Sequence, residues 1–207
     1  PCGVSINKDH LKSYKSALAC DPISAFGGIV SCNFKIKNNV AIELNKLFLE
    51  VIISNGFDKE ALKLLKKKKN LRLIDANSYS FKEKLKFMSS NKELLIQTED
   101  LKKFNNKDFK IVSKRKPNSK QMKDLVFAFN VCRYVKSNAI VLAVNGTTVG
   151  IGCGQPSRLD SCQIAIDKMK KFISNNDEVV AASDAFFPFV DGIEKLVQSG
   201  VTAVIQP

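Results

Sequence analysis

The chain has 207 residues, is 44% hydrophobic and carries a formal net charge of +13. That length supports one large or two small domains with a real core, and no apolar run reaches the ~18 residues a membrane span needs. The first residues, Pro1-Cys2-Gly3, show neither an initiator Met nor a signal-peptide pattern, so the expectation is an internal stretch of a longer protein, continuing at both ends.

In chain order, residues 9–19 place Leu11, Tyr14 and Leu18 at helical spacing beside Ala17, with Asp9 as the cap. Asp21-Pro22 marks a turn. Residues 26–32 read as a strand entered through glycines, 38–49 as an amphipathic helix, 51–54 as a buried strand, 58–67 as a helix and 71–74 as a strand. Short apolar strands alternating with helices predict βαβ units and a mainly parallel sheet.

Residues 59–120 hold 19 Lys and Arg against 7 Asp and Glu, with Arg72 and Arg115 the only arginines. Nucleic-acid readers usually present arginine or interleaved aromatics on a recognisable motif. The section therefore reads as a solvated face, with a funnel for anions as the functional alternative. Residues 75–112 are polar and weakly patterned, with short strands expected at 93–98 and 109–113. A linker follows at 114–118.

Residues 120–134 form a strong helical pattern. Two strands, 139–144 and 148–153, flank Asn145-Gly146, a strong hairpin signal. A helix at 159–172, a strand at 179–183, a helix at 192–198 and a strand at 201–205 complete the chain. The order strand, helix, strand, helix, strand occurs over 26–74 and again over 148–206, which suggests an internal duplication of one α/β unit.

The six cysteines, Cys2, Cys20, Cys32, Cys132, Cys153 and Cys162, form no CxxC pair. They read as free thiols of a reducing cytoplasm. His10 is the only histidine, so no zinc site is expected.

Four segments could carry chemistry. Residues 150–158, GIGCGQPSR, end a strand in glycines and enter a helix, a form that suits an anion. Arg158 there could add a planar fork for phosphate or carboxylate; the plain alternative is a tight turn with a solvated arginine. Residues 183–191, SDAFFPFVD, set three phenylalanines around a proline between Asp184 and Asp191. They form either a wall for an aromatic heterocycle or core, and at least one ring is expected in the core. Lys136-Ser137-Asn138 wedges polar groups between two apolar elements, as ligand or as helix cap. Residues 21–28, DPISAFGG, allow close backbone approach, with Phe26 stacking on a ring or buried.

Together with PCGV, GFDKEAL, KKKKNLRL, KSNAIVLA and VTAVIQP, these segments resemble, in order and spacing, the AICAR formyltransferase domain of the bifunctional purine-synthesis enzymes. The likeness covers 1–74 and 125–207. The resemblance implies transfer of a formyl group from 10-formyltetrahydrofolate to the 5-amino group of AICAR. It implies a fold of two cytidine-deaminase-like α/β units with mainly parallel mixed sheets, taken as 1–116 and 117–207, and a cytoplasmic homodimer with active sites across its interface. Neither nucleic acid nor membrane is an expected partner.

The same resemblance assigns Asn138 as the catalytic asparagine and Ser157, Arg158 and Leu159 to AICAR. Ile23 and Phe26 line the ligand pocket, Glu50 contacts the nucleotide, Phe186, Pro188 and Phe189 form its wall, and Asp191 faces folate. Ser137 and Asp184 stand where some members hold a monovalent cation, potassium. A Lys-His pair of the family falls just ahead of Pro1, and the cyclohydrolase domain lies outside these residues. The competing reading is a basic α/β module that holds nucleotides or nucleic acid without chemistry.

Overall fold

Helices in this chain begin where a side chain can take the first free N–H groups. In a computed structural model describing residues 1–79, 85–172 and 178–207, α1 (His10–Ala19) starts at Asp9. The Asp9 carboxylate accepts the Leu11 and Lys12 N–H groups at 2.9 and 3.1 Å. Asp58 likewise caps α3 (Lys59–Leu65), accepting the Ala61 N–H at 2.7 Å. At α4 (Ser119–Cys132), Asn118 and Gln121 cap each other reciprocally.

The first sheet is parallel throughout, in the order β1 (Gly28–Cys32), β2 (Leu49–Ser54), β3 (Arg72–Asp75). α2 (Asn38–Asn45) and α3 connect these strands. The helix expected over 38–49 ends at Asn45. Leu49 instead opens β2, because pairing with Gly28 draws it into the sheet, where it is buried.

β4 (Leu85–Ser90) and β5 (Glu93–Thr98) form a separate antiparallel hairpin, exposed along both strands. β5 is the strand expected at 93–98. The 80–84 part of that polar stretch lies outside the described residues. The strand expected at 109–113 does not form. Phe109 instead packs edge-on against Phe129 and beside Phe104, with ring centroids 5.2 and 5.8 Å away. The aromatic cluster holds this segment where the expected strand has no partner.

The third sheet has the order β7-β6-β8-β9, built from β6 (Ile140–Val144), β7 (Thr147–Gly152), β8 (Val179–Ser183) and β9 (Val201–Ile205). The two-residue turn at Asn145-Gly146, both at positive φ (53° and 67°), sends β7 back along β6. The Asp124 carboxylate accepts both turn N–H groups, at 2.9 and 2.7 Å. β6 is therefore antiparallel to both neighbours, and β8–β9 is parallel. The expectation of mainly parallel sheets holds for the first sheet; the third is mixed, because the hairpin places β6 inside it.

α5 (Arg158–Phe172) and α6 (Asp191–Gln198) cover one face of this sheet and α4 the other. Period-two alternation divides the core accordingly. Val141, Ala143, Val180 and Ala182 pack with Leu125, Ala128 and Val131 of α4. Ile140, Leu142, Val144 and Ala181 pack with Cys162, Ala165 and Ile166 of α5 and Leu196 of α6. Cys20 and Val4, from the start of the chain, join the core under α4. No helix among the described residues is long and apolar enough to cross a membrane.

Candidate active site

The polar triplet between α4 and β6 sits where β6, β8 and the loop into α5 converge. Asn138 Nδ2 donates to the backbone oxygens of Gln155 and Pro156, both at 2.9 Å. Two carbonyls hold both amide protons and fix the amide's orientation. The Oδ1 atom accepts no hydrogen bond among the described residues. Asn138 therefore presents a fixed acceptor to an incoming molecule. The Asn138 backbone oxygen accepts the Ser161 hydroxyl at 2.9 Å, which ties the triplet to the first turn of α5.

Arg158, the first residue of α5, turns inward. Its Nε donates to Ser183 Oγ at 2.9 Å and its Nη2 to Asp184 Oδ1 at 3.0 Å. Both side chains are largely buried, 14% and 18% exposed. Asp184 Oδ1 also accepts the Ala139 N–H at 2.9 Å. Burial works to raise the Asp184 pKa, but hydrogen bonds from Ser137, the Ala139 N–H and Arg158 outweigh it and hold the carboxyl below its ordinary range. The reading of Arg158 as a solvated residue is excluded. Its charge is met first by Asp184, and only its remaining guanidinium protons are open to a ligand.

Two glycines of the 150–158 segment allow close packing. A Cβ on Gly150 would lie 2.1 Å from the Ala165 oxygen, and one on Gly152 only 1.9 Å from the Ser161 oxygen. Both let β7 lie directly against α5. Gly154 provides the left-handed turn, at φ +69°. At the helix start, Ser157 Oγ accepts the Leu159 N–H at 3.2 Å, and Asp160 adds a negative charge to the first turn.

After β8 the chain presents Phe186, Pro188 and Phe189 to solvent and sends Phe187 into the core against α5 and α6. The expectation that at least one of the three rings is core holds, and it is Phe187. Gly192 makes room for that ring, since a Cβ there would meet it at 2.8 Å. Phe186 and Phe189 are 63% and 73% exposed. Asp191 is exposed at the start of α6, its Oδ1 accepting the Gly192 N–H at 2.7 Å.

Ile23 and Phe26 form a second exposed group on the turn after α1, where Phe26 lies against Phe48 at 5.2 Å between ring centroids. Glu50 is exposed nearby on β2. Among the described residues no hydrogen bond, ion pair or ring contact joins this group to Asn138, Arg158 or Phe186. One link is indirect: Lys168 of α5 pairs with Asp21, which is 3% exposed. Burial pushes the Asp21 pKa up, and the bonds from Lys168 and Ser24 more than reverse it.

Ser137 and Asp184, the pair expected at a monovalent cation, do lie together, a Ser137 hydrogen bond reaching the Asp184 carboxylate. Asp184 Oδ1 accepts two N–H donors, one of them from the Arg158 guanidinium.

The profile of the family described as the AICARFT/IMPCHase bienzyme matches residues 1–168. The chain belongs to the AICARFT/IMPCHase bienzyme family. It is 44% identical over 216 residues to the bifunctional purine biosynthesis protein PurH of Parvibaculum lavamentivorans. It is also 44% identical over 207 residues to that of Aquifex aeolicus and over 210 residues to that of Buchnera aphidicola. Each match takes in 100% of this chain and 40% of the relative.

Within this AICARFT/IMPCHase framework, sequence reasoning did not foresee three parts of the site. Ser183 fixes Arg158, and the carbonyls of Gln155 and Pro156 fix Asn138. Gln155 and Pro156 lie inside the GQPSR segment that drew attention. Their contribution comes from backbone oxygens, which side-chain identity does not reveal.

Proposed function

We propose that these residues form the formyltransferase part of a longer bifunctional protein, moving a formyl group from 10-formyltetrahydrofolate to the 5-amino group of AICAR. The observation that carries this reading is the fixed acceptor of Asn138 beside the Arg158–Asp184 pair, in a chain of this family. The AICAR amine is a weak nucleophile, because its lone pair is delocalised toward the neighbouring carboxamide. Such an amine needs alignment and proton removal at the moment of attack.

Asn138 Oδ1 accepts an N–H of the amine or carboxamide and so orients the nucleophile. Arg158, held by Ser183 and Asp184, turns its free protons toward negative charge on the nucleotide, with Ser157 and Leu159 beside it. Phe186, Pro188 and Phe189 supply an apolar wall for a flat ring, and Asp191 faces folate. The proton-transfer groups come from outside these residues, where the resemblance places a Lys-His pair.

Ile23, Phe26 and Glu50 belong to the same reading as the other half of the ligand pocket. Their separation from Asn138 within one chain is consistent with a homodimer whose pockets draw on both copies. The two units, 1–116 and 117–207, are cytidine-deaminase-like in this proposal. The 2-1-3-4 arrangement of β7-β6-β8-β9, counted within the second unit, supports it. The protein works in the cytoplasm and binds neither nucleic acid nor membrane.

The test is a formyl-transfer assay on the full-length protein with AICAR and 10-formyltetrahydrofolate, beside the Asn138→Ala variant. The expected loss in kcat is about 100-fold or more, the scale for a positioned polar group in a transition state. A variant within three-fold of wild type removes Asn138 from the mechanism. No transfer by the full-length protein, with polynucleotide affinity that falls steeply with salt, would establish the basic binding module instead.

A further inference from the structure

The largest described cavity, about 760 Å³, does not belong to the site above. It runs between the extended segment 1–6 and the open edge of β1, and residues of α1 and α4 also line it. Among the described residues β1 has β2 on one side and no strand on the other, and its second residue, Ile29, is 67% exposed. Such an edge leaves backbone N–H and C=O groups without partners. Tyr14 lines the same groove and is 8% exposed, yet its buried hydroxyl has no hydrogen-bond partner among the described residues.

The internal repeat says what fits there. Aligning β1-α2-β2 with β7-α5-β8 fails, because β1 and β2 are neighbours while β6 separates β7 from β8. Moving the repeat by one strand removes the conflict. Segment 1–6, α1, β1, α2 and β2 then correspond to β7, α5, β8, α6 and β9.

Two details support this register. β1–β2 and β8–β9 are both parallel and skip one partner residue at the same point. Gly28 faces Leu49 and Ile29 faces Val51; Val179 faces Val201 and Val180 faces Ala203. Gly3 also lies against α1 as Gly152 lies against α5. Added Cβ atoms would meet the Ala17 and Ser161 oxygens at 1.9 Å in each case. The counterpart of β6 is then a strand between segment 1–6 and β1, where the groove runs.

We propose that this groove takes an extended segment of the longer polypeptide, inserted between 1–6 and β1 and antiparallel to both. The matched relatives are long enough to supply it, since this chain spans 40% of their length. Strand addition to an open edge satisfies its backbone and seats alternate side chains in the groove, here against Ile29 and Tyr14. Segment 1–6 already pairs with β7 through Ser5 and Thr147, so the inserted strand joins the first and third sheets through that segment. The inference rests on family membership and not on the formyl-transfer reading.

Amide hydrogen exchange of the full-length protein tests it, with no assay of activity. β8 is an interior comparator and β3 an edge comparator within the same molecule. The expected result is protection of 28–32 comparable to 179–183, and about ten-fold or more above that of 72–75, unchanged on dilution. Exchange at 28–32 as fast as at 72–75 overturns the proposal. Protection that disappears on dilution assigns the groove to a second copy and also overturns it.

Discussion

Arg158 Nη2 donates to Asp184 Oδ1 at 3.0 Å while Arg158 Nε donates to Ser183 Oγ at 2.9 Å. One side chain at the start of α5 thus clamps two consecutive residues at the end of β8. Replacing Arg158 by Ala leaves a largely buried carboxylate without its partner. A stability loss of about 3–5 kcal/mol is expected, the scale for breaking a buried pair from one side, read by urea denaturation. Arg158→Lys should restore only part of it, because an ammonium cannot span both acceptors with a planar fork.

Asp184 gives the pair a pH signature. Its folded-state pKa is lowered, so the group stabilises the fold above the ordinary carboxylate value of ~3.9. That stabilisation is lost as pH falls through the depressed folded value. The stability difference between wild type and Asp184→Asn should therefore be full at pH 6 and shrink below about pH 4. A difference that stays constant from pH 6 to pH 3 would show that the Asp184 charge contributes nothing.

Gly152 tests the close contact of β7 with α5. Gly152→Ala places a methyl 1.9 Å from the Ser161 backbone oxygen, a clash that only backbone movement relieves. A loss of about 1–3 kcal/mol is expected, whereas Gly200→Ala, with open space around it, meets no such clash and is strained only by its φ of +97°. Thermal melts of the two variants make the comparison.

The phenylalanines separate by role. Phe187→Ala removes a ring packed on the core of α5 and α6 and should cost about 3 kcal/mol. Phe186→Ala and Phe189→Ala remove exposed rings and should stay within about 0.5 kcal/mol in stability. Under the proposed function the two exposed rings should instead weaken folate binding, measured by titration calorimetry.

The thiols should divide by burial. Cys20, Cys32 and Cys162 are pushed up to about 11 and Cys132 to about 12, mainly by desolvation. At pH 8 the thiolate fraction of each is on the order of a thousandth or less. Iodoacetamide should label the exposed Cys2 and Cys153 and spare the other four until the protein is denatured, as read by peptide mass spectrometry.

Much of the architecture was legible in the residues. Asp9 announced its helix, because a carboxylate beside free N–H groups is a local interaction. Asn145-Gly146 announced its hairpin, because positive φ at two successive residues is a local demand. The apolar runs 139–144 and 179–183 marked strands by composition alone. The segment at 109–113 was not legible, because its aromatic partners, Phe104 and Phe129, act through space.

The candidate site divides in the same way. The residue types and their spacing determined which segments carry polar chemistry: Ser137-Asn138, the Gly150-to-Arg158 loop, and Asp184 with its phenylalanines. Only the tertiary structure decided that Arg158 faces Asp184, that the Gln155 and Pro156 carbonyls hold the Asn138 amide, and that Gly150 and Gly152 serve packing. Those outcomes depend on backbone carbonyls and on strands brought together from positions far apart in the chain. A local pattern fixes what a residue can donate or accept, while the fold fixes which partner reaches it first.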